Sequence, residues 1–306
     1  MTSPRIVLHP DHNRSIGEAF LQASDLDVTT PGADEVAEEL AGSNVLVTYR
    51  WESSYLTDSL RWIQSISVGV DQYPIEQLRR AGVVLTSARG CHGPQVSEHA
   101  FGLLLALTRG IGRSMRNAEA RLWKPIPGIE ISGMTLGVLG LGTVGEAIAE
   151  KAIAWGMRVI GTKSNVAQYD GVALAVYPPD ETLAVFEASD AVISVLPDSE
   201  STRGIVTSEC LSAMDGGWFV NVGRGTVVQE RHLLDALSTG ALAGVGLDVF
   251  DPEPLREDSP LWLHPRVVIT NHTAGLSPHY GTRLLEIFRK NLNALDGSGA
   301  WINRVD

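Results

Sequence analysis

Short runs of β-branched and other apolar residues alternate with amphipathic segments along this chain of 306 residues. In the first hundred residues the apolar runs predict strands over Ile6–Leu8, Val45–Thr48, Ile63–Ser67 and Val83–Thr86. Segments with helical spacing, among them residues 34–40 and 75–80, separate these strands. Strands that alternate with helices are typical of a parallel sheet covered by helices.

A second series of apolar runs begins near residue 135. It predicts strands over Thr135–Leu139, Arg158–Thr162, Ala191–Val195, Trp218–Asn221, Gly244–Val249 and Val267–Thr270. A last helix is predicted over Tyr280–Asp296. Two such series predict an α/β protein with two domains, each built on a doubly wound, Rossmann-like parallel sheet.

The segment Val96–Thr108 lies between the two series and is apolar on nearly all sides at helical spacing. A helix of this kind must be buried on several faces. It is either a core helix or a helix that joins the domains and lines a subunit interface. The second interpretation leads us to expect a homodimer.

The amino-acid composition limits which binding partners this protein can have. The chain has 24 basic and 36 acidic residues, a net charge of −12, which argues against nucleic acids and anionic membranes because those partners attract a basic face. Two distant cysteines, Cys91 and Cys210, fit neither a disulfide framework nor a metal site. No apolar run is long enough to span a bilayer, and the first residues lack the basic start of a signal peptide. We expect a cytoplasmic enzyme that acts on a small molecule and binds no metal.

A G-x-G-x-x-G sequence follows the first strand of the second series and leads into a predicted helix, Val144–Ala154. In that context the first glycine permits a tight turn and the second lets the backbone approach a pyrophosphate. The third allows the helix to pack closely on the strand, and the phosphates face the helix N-terminus. The pattern favours a dinucleotide site over a structural glycine turn, formed by Gly140, Gly142, Thr143, Val144 and Gly145.

The residue that follows the next predicted strand bears on the choice of dinucleotide. A site that prefers NAD usually places Asp or Glu there, about 20 residues after the first glycine, to bind the ribose 2′-hydroxyl. This chain has Lys163, followed by Ser164. A lysine cannot accept a hydrogen bond from the hydroxyl, but it can pair with a 2′-phosphate. The sequence therefore favours NADP(H) over NAD(H) as the cofactor. Alternatively, Lys163 has no role in binding and is a solvated residue at the end of a strand.

Three later strands lead into residues suited to the reduction of a carbonyl group. Arg224 is flanked by glycines, Glu253 lies in a proline-rich loop, and His272 follows the last strand. A guanidinium binds a carboxylate in bidentate fashion, and histidine donates protons near neutrality. A carboxylate beside the other ring nitrogen fixes the tautomer. The set predicts hydride transfer between a nicotinamide and a small 2-keto or 2-hydroxy acid.

These segments resemble the D-isomer-specific 2-hydroxyacid dehydrogenase family, which includes glyoxylate/hydroxypyruvate reductases and phosphoglycerate dehydrogenase. The resemblance lies in SVGVD, TSARGCHGPQVSEHAFGLLLAL, TLGVLGLGTVG, VISVLPDSEST, FVNVGRGTVV, GLDVFDPEPL and ITNHTAG. It implies an enzyme whose catalytic triad is Arg224, Glu253 and His272. Asn271 departs from the pattern because the family usually has proline there.

The resemblance implies further binding residues. Backbone amides of Val68, Gly69 and Val70 would bind the substrate carboxylate, and Asp248 would lie near the nicotinamide amide. Leu196 and Pro197 would lie beside the adenine, with Thr202 in the same cofactor loop. Trp51, Tyr55 and His92 are weaker candidates for lining the substrate, and Arg50 for meeting a second acidic group; packing or surface roles are the alternatives.

The family's topology implies how the domains are arranged along the chain. Residues 1–97 plus 277–306 would form a flavodoxin-like substrate domain. Residues 98–276 would form an inserted dinucleotide-binding domain, with the active site in the cleft.

Two other functions are considered for a protein of this fold. Formate and phosphite dehydrogenases share this architecture. Formate dehydrogenases of this fold pair the histidine with glutamine rather than glutamate, so Glu253 counts against that activity. Some relatives are dinucleotide-sensing corepressors that bind partners through extra tails, and no such regulatory segment is expected here. Turnover of 2-keto acids separates an enzyme from a sensor. The residues themselves do not select one keto acid.

Overall fold

The computed structural model describes residues 4–305. They form two compact units: one contains the chain up to Cys91 and again from Leu276 onward, and the other is His92–Gly275. The second unit is thus inserted, along the chain, between two segments of the first. Each unit contains a mainly parallel sheet with helices, so the predicted fold class is confirmed.

In chain order the strands are β1 Arg5–Leu8, β2 Asp27–Thr29, β3 Val45–Thr48, β4 Trp62–Ser65, β5 Val84–Thr86, β6 Thr135–Leu139, β7 Arg158–Thr162, β8 Ala175–Tyr177, β9 Ala191–Ser194, β10 Gly217–Asn221, β11 Leu242–Leu247, β12 Val267–Ile269 and β13 Arg304–Val305. The helices are α1 Arg14–Leu21, α2 Val36–Leu40, α3 Ile75–Arg80, α4 Gly93–Thr108, α5 Ile111–Glu119, α6 Thr143–Ala154, α7 Thr182–Glu187, α8 Ser208–Ser212, α9 Glu230–Thr239 and α10 Tyr280–Leu295. Short 3₁₀ turns are Ala33–Glu35, Ser53–Tyr55, Val166–Gln168, Pro179–Glu181, Gly225–Val227 and Pro260–Leu263.

The first unit has the strand order β13-β5-β4-β3-β1-β2, in which β13 alone of the described strands pairs antiparallel. The five parallel strands have the flavodoxin-like order. Successive side chains of β1 enter different cores: Ile6 and Leu8 pack with Phe288 of α10, whereas Val7 packs on the α2 side. This alternation follows from the two-residue period of a strand and explains why residues 6–8 of β1 are all apolar.

The second unit has the order β12-β11-β10-β9-β6-β7-β8, and all of the strand pairs described in this sheet are parallel. One face packs on α4 and α6 and the other on α7, α8 and α9. β6 and β9 are neighbours in the sheet. The chain continues from β6 to β7 toward one edge of the sheet and from β9 to β10 toward the other, so the strand order reverses between β6 and β9. The loops that follow these two strands therefore border the crevice in which such sheets bind ligands.

The predicted strands lie within a few residues of the observed ones. The sequence does not predict β2, β8 and β13, which are edge strands of two or three residues, too short to show a period. It also does not assign α1, α5, α7, α8 and α9. These helices have only five to ten residues each, which gives little periodic signal.

Helix α4 contains the predicted helix Val96–Thr108 and begins three residues earlier. Its residues Ala100, Leu103 and Leu104 are buried in the core of the second unit. A Cβ atom at Gly246 of β11 would lie 3.0 Å from the Leu103 Cβ, so the helix lies close on this strand. The core interpretation therefore accounts for its apolar surface.

None of the described helices combines the length and apolar character needed to cross a membrane. Within residues 4–305, no group of three or more His, Cys, Asp and Glu side chains is placed to hold a metal ion.

Candidate functional site

The glycines after β6 each have a distinct local environment. Gly140 has φ +99°, which disfavours other residues, and its N–H donates to Thr162 Oγ1 at 3.1 Å. A Cβ at Gly145 would lie 2.1 Å from the Gly140 carbonyl oxygen, so no side chain fits there. A Cβ at Gly142 would meet no described atom within 4 Å, so the backbone at that position is open to an approaching group.

The N-terminus of α6 is well suited to bind an anion. Gly142 is the N-cap residue and has no side chain to accept hydrogen bonds from the first helical N–H groups. These groups lack partners within the helix, and the helix dipole adds positive charge at this end. The open glycine and the uncapped helix together fit a pyrophosphate.

Lys163 follows β7 and lies next to the glycine loop. Its Nζ donates to the Leu141 carbonyl oxygen at 2.6 Å and is 5.6 Å from the centre of the Tyr169 ring. The Tyr169 hydroxyl in turn donates to Glu146 Oε2 of α6 at 3.0 Å. The ammonium group is thus held beside the loop by one of its three donors, and Ser164 beside it is exposed.

The loop after β9 contacts the glycine loop from the other side of the reversal point. A Cβ at Gly140 would lie 3.2 Å from Leu196 Cδ2. Within the loop, Thr202 Oγ1 donates to the Pro197 carbonyl oxygen at 2.6 Å and accepts from Ser199 N at 3.0 Å. The structure therefore brings Leu196 to the glycine loop, and Thr202 stabilises the turn that follows Pro197.

Arg224 follows β10 on a backbone that tolerates only glycine on both sides. A Cβ at Gly223 would lie 2.5 Å from the Leu196 carbonyl oxygen, and one at Gly225 would lie 1.9 Å from the Phe250 carbonyl carbon. The buried Asn221 side chain donates to the Arg224 carbonyl oxygen at 2.8 Å and accepts from Gly223 N at 3.1 Å. A fixed backbone thus presents an exposed guanidinium.

His272 and Glu253, predicted as partners, lie in contact. His272 Nδ1 is 2.7 Å from Glu253 Oε2, and Glu253 Oε1 accepts from Phe250 N at 2.9 Å. A carboxylate can only accept, so Nδ1 carries the proton and Nε2 is left for another group. Because Gly225 packs against Phe250, the Arg224 loop touches the loop that holds Glu253.

The backbone of His272 is unusual and is held by Asp248. His272 has φ +52°, a region that non-glycine residues seldom occupy, and its N–H donates to the Asp248 carbonyl oxygen at 2.8 Å. The Asp248 carboxylate accepts from Thr270 Oγ1 at 2.6 Å and from the amides of Thr273 and Ala274, each at 2.9 Å. Asp248 thus holds the histidine loop at several points.

Asp248 is 1% exposed. Burial alone would raise its pKa, but hydrogen bonds from His99, Thr270 and the two loop amides outweigh burial and lower the pKa to about 2. Sequence reasoning did not find Asn221, His99 or Thr270 as supports of the site. The available signal was a polar residue at the end of an otherwise apolar strand, which Asn221 and Thr270 share.

The candidates of the first unit lie after β3 and β4. Ser67 Oγ donates to the Gly69 carbonyl oxygen at 2.5 Å. The amides of residues 68–70 have no acceptor among the described residues. Tyr55 is buried and 3.2 Å from His9 Nε2, and Arg50 pairs with Asp11 at 2.6 Å. Packing thus accounts for Tyr55, while the residue 68–70 loop is open to an anion.

Comparison with known proteins gives consistent matches. Residues 101–274 match the family model described as D-isomer specific 2-hydroxyacid dehydrogenase, NAD binding domain. A glyoxylate/hydroxypyruvate reductase A from Salmonella heidelberg is 36% identical over 186 residues, which cover 60% of this chain and 59% of that protein. The chain therefore matches less than two thirds of this relative's length.

Solved structures match over nearly the full length. An NADPH-dependent glyoxylate/hydroxypyruvate reductase from Sinorhizobium meliloti, solved with citrate, has a TM-score of 0.81 at 26% identity, covering 99% of this chain and 97% of that one. A D-2-hydroxyisocaproate dehydrogenase has a TM-score of 0.86 at 19% identity, covering 98% and 99%. At that identity the second likeness shows the fold alone.

Proposed function

Because this chain belongs to the D-isomer-specific 2-hydroxyacid dehydrogenase family, we propose that it reduces a small 2-keto acid to the D-2-hydroxy acid with NADPH. The observation that carries the proposal is the 2.7 Å contact between His272 and Glu253, on loops next to that of Arg224. The site follows the carboxyl ends of the strands in a Rossmann-type sheet, where such folds bind ligands. The relatives named as glyoxylate/hydroxypyruvate reductases suggest glyoxylate or hydroxypyruvate as the substrate.

Each residue of the proposed triad has one task. When bound, the reduced nicotinamide supplies the hydride for the carbonyl carbon of the keto acid. Arg224 binds the substrate carboxylate with its fork of donors and so orients the carbonyl. His272 donates a proton from Nε2 to the carbonyl oxygen as negative charge develops there. Glu253 holds the ring through Nδ1 and stabilises the imidazolium before the proton leaves.

The dinucleotide would lie on the loop of Gly140, Gly142 and Gly145, with its pyrophosphate at the N-terminus of α6. Lys163 would pair with a 2′-phosphate, because its ammonium lies beside that loop. Asp248 keeps the histidine loop in place and is our candidate to lie near the nicotinamide amide. The amides of residues 68–70 remain a proposed carboxylate-binding element of the first unit.

The cofactor preference can be tested at Lys163. NADPH should give a higher kcat/KM than NADH. Lys163→Asp should erase or reverse this preference, because the carboxylate repels the 2′-phosphate and the interaction of the protein with NADPH weakens by about 1–3 kcal/mol. Lys163→Gln serves as the matched variant without added negative charge and should lose less. Equal use of both dinucleotides by all three proteins would contradict this assignment.

The activity is tested by turnover of a panel of 2-keto acids with NADPH. His272→Ala should lower kcat about 10²–10⁴-fold, the contribution of a positioned general acid. His232→Ala, on α9, is the matched control and should keep activity. NADPH binding without turnover of any keto acid would instead indicate a dinucleotide-sensing protein, the competing function.

We also propose that the protein is a homodimer, with an interface on α5 and the loop after it. Several large apolar side chains there are exposed: Ile111, Met115, Leu122, Trp123 and Ile129. Trp123 is 100% exposed. Exposed apolar side chains grouped in this way often mark a protein interface.

A further inference from the structure

We propose that helix α4 positions the proton donor: His99 and Gln95 hold the two ends of the residue 270–275 loop that carries His272. This inference rests on the proposed function, because it matters for catalysis only if His272 donates the proton. His99 and Gln95 would be positioning residues, since they act through the loop.

The contacts are direct and lie on one face of the helix. His99 Nε2 is 2.8 Å from Thr270 Oγ1 and 3.4 Å from Asp248 Oδ1. One helical turn earlier, Gln95 Nε2 donates to the Gly275 carbonyl oxygen at 3.2 Å. Residues four apart on a helix lie on the same side, so α4 holds both ends of the loop at once.

The hydrogen-bond direction determines what residue 99 must provide. The Thr270 hydroxyl has one hydrogen, which it donates to Asp248 Oδ1 at 2.6 Å. Its oxygen must therefore accept from His99, so Nε2 of His99 carries a proton. Residue 99 thus needs a donor at the distance of Nε2 from the backbone. A glutamine amide nitrogen reaches about as far, whereas an asparagine is one methylene shorter.

The loop needs this support because of its own backbone. His272 has φ +52°, which a non-glycine residue keeps only when its surroundings impose it. Asp248 binds the middle of the loop and Thr270 links Asp248 to His99. When the donor at residue 99 is lost, the Thr270 side chain is no longer fixed, and its contact with Asp248 weakens. The ring of His272 then moves from the position in which it can donate to a carbonyl.

The experiment compares His99→Leu, His99→Gln and His99→Asn by steady-state kinetics with NADPH and a 2-keto acid. We expect kcat of His99→Leu to fall about 10- to 100-fold, the scale of a small misplacement of a catalytic group. KM for NADPH should stay unchanged, because the glycine loop is untouched. His99→Gln should retain kcat close to wild type, and His99→Asn should lose it. This split between Gln and Asn tests the proposal even if His99→Leu does not fold.

Three further variants make the test specific. Thr270→Val should lower kcat as much as His99→Leu, and the double variant should lose no more than either, because both break one chain of contacts. Thr108→Val is the matched control on α4, since its hydroxyl donates only to Leu104 of the same helix. Its kcat should not change.

The outcomes separate the two proposals. If His272→Ala is inactive but His99→Leu keeps its kcat, or if Gln and Asn behave alike, the positioning role is wrong and the proposed function stands. Multiplying losses in the double variant would also overturn it. If His272→Ala keeps its activity, the proposed function itself fails.

Discussion

Replacing Asp248 by asparagine should destabilise the protein in a pH-dependent way. The carboxylate accepts from Thr270 and from the amides of Thr273 and Ala274, and it is 1% exposed. Asparagine keeps the shape but has one acceptor oxygen, so its NH₂ group must face a hydrogen-bond donor. Leaving a buried donor without a partner costs about 1–3 kcal/mol.

The lowered pKa of Asp248 gives a second measure of this loss. A pKa that falls from 3.8 to about 2 on folding corresponds to about 2 kcal/mol of stability at neutral pH. The two energies are not simply additive, because the hydrogen bonds that asparagine would lose are the same ones that lower the pKa of Asp248. We therefore expect Asp248→Asn to lower the free energy of unfolding by about 2–4 kcal/mol at pH 7.

The sign of the pH dependence follows from the direction of this shift. The contribution of the Asp248 carboxylate is fully present above pH 4, the range of its pKa in the unfolded chain, and is lost as the pH falls toward 2. The stability gap between wild type and Asp248→Asn should thus be constant from pH 7 to pH 5. It should narrow by about 1 kcal/mol at pH 3.

Urea unfolding followed by tryptophan fluorescence at pH 7, 5, 4 and 3 measures this gap. Asp258→Asn is the matched control: its carboxylate pairs with Arg256, but both side chains are well exposed, so stability should hardly change. A gap that stays the same at pH 3 would show that the charge of Asp248 does not contribute. A variant as stable as wild type would show that the loop does not depend on Asp248.

Four other substitutions have expected outcomes. Gly145→Ala should destabilise the protein and abolish NADPH binding, because its Cβ would lie 2.1 Å from the Gly140 carbonyl oxygen; Gly142→Ala should fold normally and weaken NADPH binding alone. Thermal unfolding and titration of NADPH fluorescence measure both, and equal stability of the two variants would contradict the packing argument. Arg224→Lys should raise KM for the keto acid and lower kcat with little change in NADPH affinity, because an ammonium cannot form the bidentate contact; near-normal kcat/KM would exclude Arg224 as the carboxylate clamp. Wild type should be a dimer and Trp123→Asp a monomer by light scattering at micromolar concentration, and a monomeric wild type would refute the interface.

The amino-acid sequence by itself determines the α/β class and much of the chemistry proposed for this protein. Apolar runs mark the buried strands because a strand covered on both faces is apolar along nearly all of its length, as in residues 45–47 of β3 and 136–139 of β6. The glycine loop could be located because its spacing and its place between a strand and a helix are local properties. His272, Glu253 and Arg224 could be proposed as the triad because their residue types match one reaction and each follows a strand.

Only the tertiary structure shows what holds these residues in place. The need for glycine at residues 223 and 225 comes from loops that are distant in the sequence, at Leu196 and Phe250. The link from His99 through Thr270 to Asp248 joins a helix to two strand ends far along the chain. Residue type and spacing do not encode such contacts, because these contacts depend on which helices and strands become neighbours when the sheet and its helices pack together. Periodicity indicates which faces are buried, whereas the partner of a buried polar group is decided by packing alone.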